Sequence, residues 1–154
     1  MFPRKRSSKL KLVLIVLILV IILAVAMIAS TLREPVVNVV GLQIKYSGTG
    51  LQRTYRTFAT VEVQNPNAVG VTVTNIKGSF YVNGEYGGDF DRTESVDIAA
   101  NGVTTFDVEV AVKGTVPVQW NANNDVEVIG TIVVHGAVTD WTIPFDETRT
   151  VHVP

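Results

Sequence analysis

A long uncharged segment near the N-terminus limits the structures open to the first part of this chain. From Leu12 to Leu32 there are 21 residues without a formal charge, and Leu12 to Ala29 is almost wholly aliphatic. A helix of that length, at about 1.5 Å per residue, spans the roughly 30 Å hydrocarbon core of a bilayer. Because this core holds no water, only a helix satisfies its own backbone there. We therefore expect residues 12–32 to be a transmembrane helix.

Basic residues precede this segment and indicate its orientation. They are Arg4, Lys5, Arg6, Lys9 and Lys11, and no acidic residue occurs among them. An excess of cationic side chains marks the cytoplasmic side of a membrane span. We expect residues 1–11 to be a basic cytoplasmic tail, and the rest of a single-pass protein of the cell membrane to lie outside the cytoplasm.

A cleaved signal peptide is the alternative interpretation of the same segment. Ala24-Val25-Ala26 has the small residues of a cleavage site, but it lies inside the apolar run and not after it. The run is also longer than the roughly 7–15 residues of a typical signal core. Both observations favour an uncleaved anchor.

The remainder of the chain is acidic and free of cysteine. All 14 acidic residues follow Arg33, and the part of the chain that begins at Arg33 has eight basic residues, so this part carries a net charge of −6. A net-acidic domain without a basic stripe is a poor nucleic-acid binder, and we expect no nucleic-acid partner. About 120 residues can bury one hydrophobic core without disulfide bonds. The partners expected of the N-terminal segment are membrane lipids.

Beyond Pro35, alternation of β-branched and aromatic residues with a period of two predicts a series of strands. We expect them at Val36–Tyr46, Thr57–Gln64, Val71–Val82, Tyr86–Phe90, Ser95–Ile98, Val103–Val112, Val126–Val134, Trp141–Phe145 and Thr148–Val153. Seven to nine short strands at this spacing are typical of a two-sheet sandwich. The expected fold class is therefore an all-β, antiparallel two-sheet sandwich preceded by a single N-terminal transmembrane helix.

Two segments of the domain predict local departures from regular strands. In Val71–Val82 the apolar positions change parity between Val73 and Ile76, which predicts a β-bulge near Thr74-Asn75. Gly114–Asp125 is the least strand-like segment, and it has room for one short helical turn.

Two turns contain the most characteristic residues of the domain. Asn65-Pro66-Asn67 ends a strand, because proline cannot donate to a strand ladder and asparagine side chains bond nearby backbone groups. Asn83-Gly84 is a strong hairpin signal. Exposed amides of Asn65 and Asn67 can alternatively offer donors and acceptors to a ligand. We favour a structural role for all five residues.

Residues suited to metal binding are few. His135 and His152 are the only histidines in the chain, and two histidines without cysteine make a poor transition-metal set. Asp89, Asp91 and Glu94 offer the oxygens that calcium prefers, but their spacing matches no complete calcium loop and a basic residue lies among them. We expect no metal site and an acidic, solvated loop.

Catalytic patterns are also missing from the sequence. No serine has the Gly-X-Ser-X-Gly context of a nucleophile, and no glycine-rich loop has the spacing that holds phosphates. We expect Trp141 to belong to the core, and leave Trp120 open between the core and a membrane interface. The prediction is a chain without catalytic residues or cofactor, and not an enzyme.

Several of these segments together resemble a known family. The sequence VEVQNPNAVGVTVTNIKGSFYVNG, followed by DIAANGVTTFDVEVAV, is similar to the type 2 late embryogenesis abundant family, also called the WHy (water stress and hypersensitive response) domain. The closing GTIVVHGAVTDWTIPFDETRTVHVP is similar to the last strands of that family. The resemblance covers roughly residues 36–154, and a membrane anchor ahead of the domain is a common arrangement in the family.

The resemblance implies an immunoglobulin- or fibronectin III-like sandwich over residues 36–154, often with a short helix before its last strands. It also implies a link to desiccation, cold and other stress, and it gives no catalytic residue to carry over. Related domains have been proposed to hold lipid in a groove between the sheets.

Three functional hypotheses follow. The first is a non-enzymatic, membrane-anchored domain outside the cytoplasm that protects against desiccation or stress, or binds proteins. The second is an accessory or cell-envelope structural subunit that docks on a larger membrane complex. The third is a lipid-binding domain. Besides the membrane lipids around its helix, the expected partners are therefore a protein or a lipid.

Overall fold

The computed structural model describes residues 7–47, 54–111 and 118–153. The chain divides into two compact units, one ending at Arg33 and the other beginning at Glu34. The first part of the basic tail, most of the Ser47–Gly50 turn, Val112 and the start of Gly114–Asp125 lie outside the described residues.

The first unit contains one helix, α1, at Ser7–Thr31. Its segment Val13–Thr31 is long and apolar enough to cross a membrane, a property that a membrane span shares with a signal sequence. At its C-terminal end the hydroxyl groups of Ser30 and Thr31 donate to the carbonyls of Met27 and Ile28, each at 2.8 Å. These bonds give the two polar side chains partners on the helix itself.

The second unit contains the strands β1 to β8. Their bounds are Val36–Ser47, Thr54–Gln64, Val71–Val82, Glu85–Arg92, Val96–Ile98, Val103–Ala111, Ala122–His135 and Asp140–Val153. All pairs are antiparallel. Sheet A has the order β1-β2-β6, and sheet B has the order β4-β3-β7-β8, with β5 pairing with β3. The expected all-β, two-sheet fold with an N-terminal apolar helix is confirmed.

The strand predictions differ from the structure mainly in the last two elements. Trp141–Phe145 and Thr148–Val153 form one continuous strand, β8. Pro144 lies in its interior, which is tolerated because β8 is at the edge of sheet B. Strand β7 begins at Ala122, so the described end of Gly114–Asp125 contains a turn and a strand start, and the expected helical turn is not found among residues 118–125.

The core lies between the two sheets and is made of inward-facing side chains. Sheet A contributes residues such as Val61, Val63 and Val108, and sheet B contributes Ile76 and Phe80, all at most 1 % exposed. Burying apolar side chains of this kind is the main favourable term in folding, at about 1.5–3 kcal/mol for each large one.

The predicted β-bulge in β3 is confirmed. The register between β3 and β7 shifts between Val73 and Asn75. Val71 and Val73 before the shift, and Ile76 and Phe80 after it, are all buried. One extra residue therefore keeps both halves of the strand facing the core although the sequence parity changes.

Two glycines in the centre of sheet B make room for aromatic rings from its outer strands. Gly78 pairs with Phe90 on one side and with Gly130 on the other, and Gly130 pairs with Phe145. The phenyl rings stack with centroids 6.3 Å apart. A methyl group on Gly78 would overlap the Ile129 carbonyl oxygen and the Phe90 ring. The glycines thus let rings from β4 and β8 meet across the two strands between them.

An arginine joins the two sheets at each lateral side of the sandwich. On one side Arg149 of β8 donates from Nη2 to the Val39 carbonyl of β1 at 2.8 Å. On the other side Arg92 of β4 donates from Nη1 to the Asp107 carbonyl of β6 at 2.6 Å. Hydrogen bonds from a charged donor are about twice as strong as neutral ones, so each bond fixes an outer strand of sheet A against sheet B.

Replacing Gly78 with alanine should destabilise the domain by about 1–3 kcal/mol, because the added methyl group displaces a backbone carbonyl and an aromatic ring. The measurement is urea unfolding followed by circular dichroism. Ser79→Ala is the matched control: it changes the neighbouring residue on the opposite face and removes only an exposed hydrogen bond to Asp89. Equal unfolding midpoints for the two variants would contradict the packing explanation.

Candidate functional site

The Asn65-Pro66-Asn67 turn is built around a buried asparagine pair. Asn65 and Asn67 are 2 % and 3 % exposed. Nδ2 of Asn65 donates to the carbonyls of Val69 at 2.8 Å and Ala99 at 3.0 Å. Its Oδ1 accepts from the backbone N–H and from Nδ2 of Asn67, both at 3.0 Å. The Asn65 side chain therefore uses its two donor hydrogens and its acceptor oxygen inside the protein.

Backbone bonds extend this cluster to the turn before β6. The Asn65 N–H donates to the Gly102 carbonyl, and the Asn101 N–H donates to the Asn67 carbonyl, each at 2.8 Å. Pro66 between the two asparagines is exposed. The cluster consequently ties the β2–β3 connection to the β5–β6 connection, and its amides face the protein and not a ligand.

The Asn83-Gly84 turn belongs to a second asparagine cluster at the other end of β3. Both residues have positive φ, 52° for Asn83 and 82° for Gly84, as a type I′ hairpin turn requires. Nδ2 of Asn83 donates to Oδ1 of Asn124 at 3.0 Å, and its Oδ1 accepts from the Asp125 N–H at 3.0 Å. The hairpin is thereby held against the beginning of β7.

Asn124, which is fully buried, is the centre of this second cluster. Its Oδ1 also accepts from the Gln119 N–H at 2.7 Å, and its Nδ2 donates to the carbonyls of Gln119 at 2.9 Å and Ala122 at 3.2 Å. Our sequence reasoning did not single out Asn124. The run Asn121 to Asn124 in a segment without strand alternation was the available signal, but nothing in it distinguished the buried asparagine from its exposed neighbours.

The two histidines lie at opposite ends of the β7–β8 pair. His135 contacts Asp140 across the turn, with Nδ1 and Oδ1 2.6 Å apart, and His152 lies 3.2 Å from Asn123. Both side chains are exposed. Residues 123 and 135 of β7 are separated by roughly 40 Å at about 3.3 Å per residue. The histidines therefore cannot share a ligand.

The acidic residues of β4 and the following loop are bound separately. Asp89 accepts from Ser79 at 2.8 Å, Asp91 accepts from Asn75 at 2.8 Å, and Glu94 pairs with Arg92 at 3.2 Å. Asp89 also raises the pKa of Tyr86 above its ordinary value of 10.0, chiefly through a side-chain hydrogen bond. Within the described ranges there is no group of three or more metal-ligating side chains that could hold an ion.

Three surface cavities mark places where a partner has room. A hollow of about 410 Å³ lies beside Arg92, whose guanidinium carbon is 5.2 Å from the centre of the Phe106 ring. A second of about 650 Å³ lies over Gly78 and Gly130, where Ile129 is 39 % exposed. A third of about 310 Å³ lies beside Pro66. The first is lined mainly by acidic residues and the second mainly by apolar surface.

The tryptophans have different surroundings. Trp141 is half-buried and packs against the core cluster, as expected, and a methyl group on Gly136 would overlap its indole ring. Trp120 is half-buried in the turn before β7.

A protein-family model described as "Late embryogenesis abundant protein" matches residues 60–149. Its span starts in β2 and ends within β8. It therefore includes both asparagine clusters, all of β3 to β7 and parts of β2 and β8. No curated protein matches the chain significantly.

Solved structures share the fold. The solution structure of AT1g01470 from Arabidopsis thaliana superposes with a TM-score of 0.64 at 20 % identity, covering 80 % of this chain and 85 % of that chain. A second solution structure, At2g46140.1, named as a late embryogenesis abundant (LEA) protein, has a TM-score of 0.55 at 16 % identity and covers 100 % and 94 %. A protein from Archaeoglobus fulgidus has a TM-score of 0.51 at 11 % identity, covering 74 % and 96 %. At these identities the likeness concerns the fold alone.

Replacing Asn65 with aspartate should destabilise the domain by about 2–5 kcal/mol at neutral pH, because a buried carboxylate would face the carbonyls of Val69 and Ala99. Those carbonyls favour the protonated acid, so its pKa is raised in the folded state and the folded state binds more protons. The destabilisation should accordingly be smallest below about pH 4 and grow as the pH rises above it.

Urea unfolding between pH 3 and pH 8 measures this effect, with Asn38→Asp as the control. Asn38 is an exposed asparagine on β1, so its substitution should have little effect. A destabilisation of Asn65→Asp that does not depend on pH would contradict the assignment of its Nδ2 as the donor to both carbonyls.

Proposed function

We infer the function from the family: a family model spans residues 60–149, more than half of the chain, so the chain belongs to the late embryogenesis abundant family LEA_2. We propose that it is a non-enzymatic, membrane-anchored domain outside the cytoplasm that protects proteins or membranes under stress. The observation that carries the proposal is the combination of this sandwich with an N-terminal helix that is apolar on every side. Each part of the proposal has its own support.

The surface of the helix supports the anchor. Between Val13 and Ile28 the large apolar side chains are 46–67 % exposed, on all sides of the helix. A helix that is apolar all round is stable when buried in protein or lipid. A bilayer covers this surface, and the basic residues before it then keep the N-terminus in the cytoplasm.

The use of buried polar groups supports a non-enzymatic role. The asparagine clusters bind backbone groups within the domain. The histidines lie far apart, and the acidic residues of β4 bind separate partners. In the described part of the chain, no nucleophile, base and orienting group converge as they must for catalysis.

The surface of the domain supports a protective mechanism. On the outer face of sheet B, the acidic residues Asp89, Asp91, Glu127 and Asp146 outnumber the single basic residue Lys77. Such a surface is strongly hydrated and repels acidic macromolecules. Held at a membrane, a layer of these domains would keep neighbouring proteins and bilayers apart as water is lost.

Docking on a larger membrane complex is the second candidate, and the hollow on the outer face of sheet B favours it. The hollow holds about 650 Å³ around the exposed Ile129, room for one or two side chains of a partner. The size of the protein after gentle detergent extraction separates the two candidates. Docking requires a stoichiometric partner, and Ile129→Asp should release that partner.

We expect the helix to remain in the mature protein with the N-terminus in the cytoplasm. Because the chain has no cysteine, single cysteines at Ser8 and Glu85 can be labelled selectively with a membrane-impermeant maleimide. The residue 85 cysteine should react on intact cells, and the residue 8 cysteine only after permeabilisation. Loss of the residue 8 cysteine from the mature protein would instead show cleavage of a signal peptide.

The isolated unit of residues 34–154 should protect a labile enzyme such as lactate dehydrogenase through freeze–thaw cycles. The measurement is the activity retained, compared with an equal mass of albumin. Phe80→Asp, which places a charge at a fully buried core position and should unfold the fragment, is the control that separates a folded surface from a nonspecific polypeptide effect. Protection no better than albumin would refute the protective role.

A further inference from the structure

The two ends of the sandwich differ in polarity. We call one end, made of residues 65–70, 99–102 and 136–139 with Val36 and Val103, the Pro66 end. The Asn83 end consists of residues 83–85, 119–123 and His152. Strand register brings the Pro66 end together: Val36 pairs with Gln64 and Gln64 with Val103, while Thr72 at the start of β3 pairs with His135.

The Pro66 end is apolar at its surface. Val36, Val103 and Val138 are 48 %, 59 % and 46 % exposed. They are three of the six large hydrophobic residues that are exposed among the described residues of the domain. Exposed small apolar residues at the same end are Pro66, Ala68, Ala99, Ala100 and Ala137, and the exposed polar side chains among its defining residues are Asn101 and Thr139. Isolated exposed valines are ordinary, but such a collection on one end marks an interaction surface.

The same end has little net charge. None of the residues that define this end is acidic or basic. Two exposed carboxylates lie beside it, Asp97 of the adjoining β5 and Asp140 at the start of β8. The described turns of the Asn83 end, in contrast, expose residues such as Glu85, Asn121 and Asn123. The one large hydrophobic residue exposed next to them is Tyr86, which has a polar hydroxyl group. An apolar surface with few charges suits the boundary between lipid headgroups and acyl chains.

Chain connectivity identifies the occupant. The chain enters the sandwich at the Pro66 end, where β1 begins at Val36, five residues after α1 ends at Thr31. Five residues span at most about 18 Å when fully extended. If α1 crosses a bilayer, the Pro66 end cannot move far from that bilayer, whereas the far ends of the strands can.

We propose that the Pro66 end of the domain is a membrane-docking surface, whose exposed valines lie in the interface of the bilayer that α1 spans. The proposal rests on the anchor put forward under Proposed function. Docking by this end holds the strands upright from the membrane and presents the Asn83 end and the outer face of sheet B to the surroundings.

The test uses the full chain in phosphatidylcholine vesicles with an environment-sensitive fluorophore on a single cysteine. Thr139→Cys places the probe at the Pro66 end and Glu85→Cys places it at the Asn83 end. With brominated lipids as quenchers, we expect a blue-shifted and quenched emission at residue 139 and neither effect at residue 85. Added salt should not reverse this result, because the surface has little net charge.

A matched pair of multiple variants separates docking from simple tethering. Val36→Ser/Val103→Ser/Val138→Ser should reduce the quenching at residue 139 at least about twofold, because it removes apolar surface from the interface. Val40→Ser/Ile129→Ser removes exposed apolar residues elsewhere and should leave the quenching unchanged. Circular dichroism confirms that both variants fold.

Flotation of the vesicles reports on the anchor separately. If the chain floats with the vesicles but the residue 139 probe is unquenched, or is quenched equally in the triple serine variant, docking is refuted and the anchor stands. If the chain does not float, both proposals fail. If the triple serine variant instead changes the sedimentation of the detergent-extracted protein, the Pro66 end binds a second copy or another protein, and docking to lipid is refuted.

Discussion

The sandwich depends on buried asparagine side chains that hold the crossings between its two sheets. The chain passes from one sheet to the other at β2–β3, β5–β6 and β6–β7. Asn65 binds the first two crossings to each other, and Asn124 binds Gln119 in the third. A buried amide left without partners costs about 1–3 kcal/mol for each unsatisfied group, so these bonds specify one path for the chain as well as stabilising it.

This arrangement explains why the most characteristic residues of the chain are poor candidates for ligand binding. Their hydrogen-bonding capacity is used in the connections, and the space between the sheets is filled by apolar side chains. The three cavities that we describe lie beside or outside this core. The surfaces left for interaction are therefore the outer faces of the two sheets, the side of the sandwich beside Arg92 and the ends of the strands.

The sequence predicted the class of fold, most strands and the bulge in β3, because these depend on local alternation and on turn residues. It did not predict that β8 runs through Pro144, since edge position is a property of the whole sheet. The roles of Arg92, Arg149 and Asn124 also depend on which strands meet, which a single sequence does not reveal. The sequence indicated a turn at Asn65, but the bond from Asn65 to Ala99 joins residues far apart in the chain.

The arginines at the two sides of the sandwich have a consequence for crowded conditions. A sheet edge with free carbonyl groups is a template on which a strand from another molecule can pair, and such pairing leads to aggregation. Here Arg149 donates a hydrogen bond to a backbone carbonyl of the outer strand β1, and Arg92 donates one to a backbone carbonyl of β6. Pro144 has no backbone N–H with which the edge strand β8 could bind another strand. A domain whose edges are blocked in this way is less open to strand pairing with other molecules when proteins become concentrated around it.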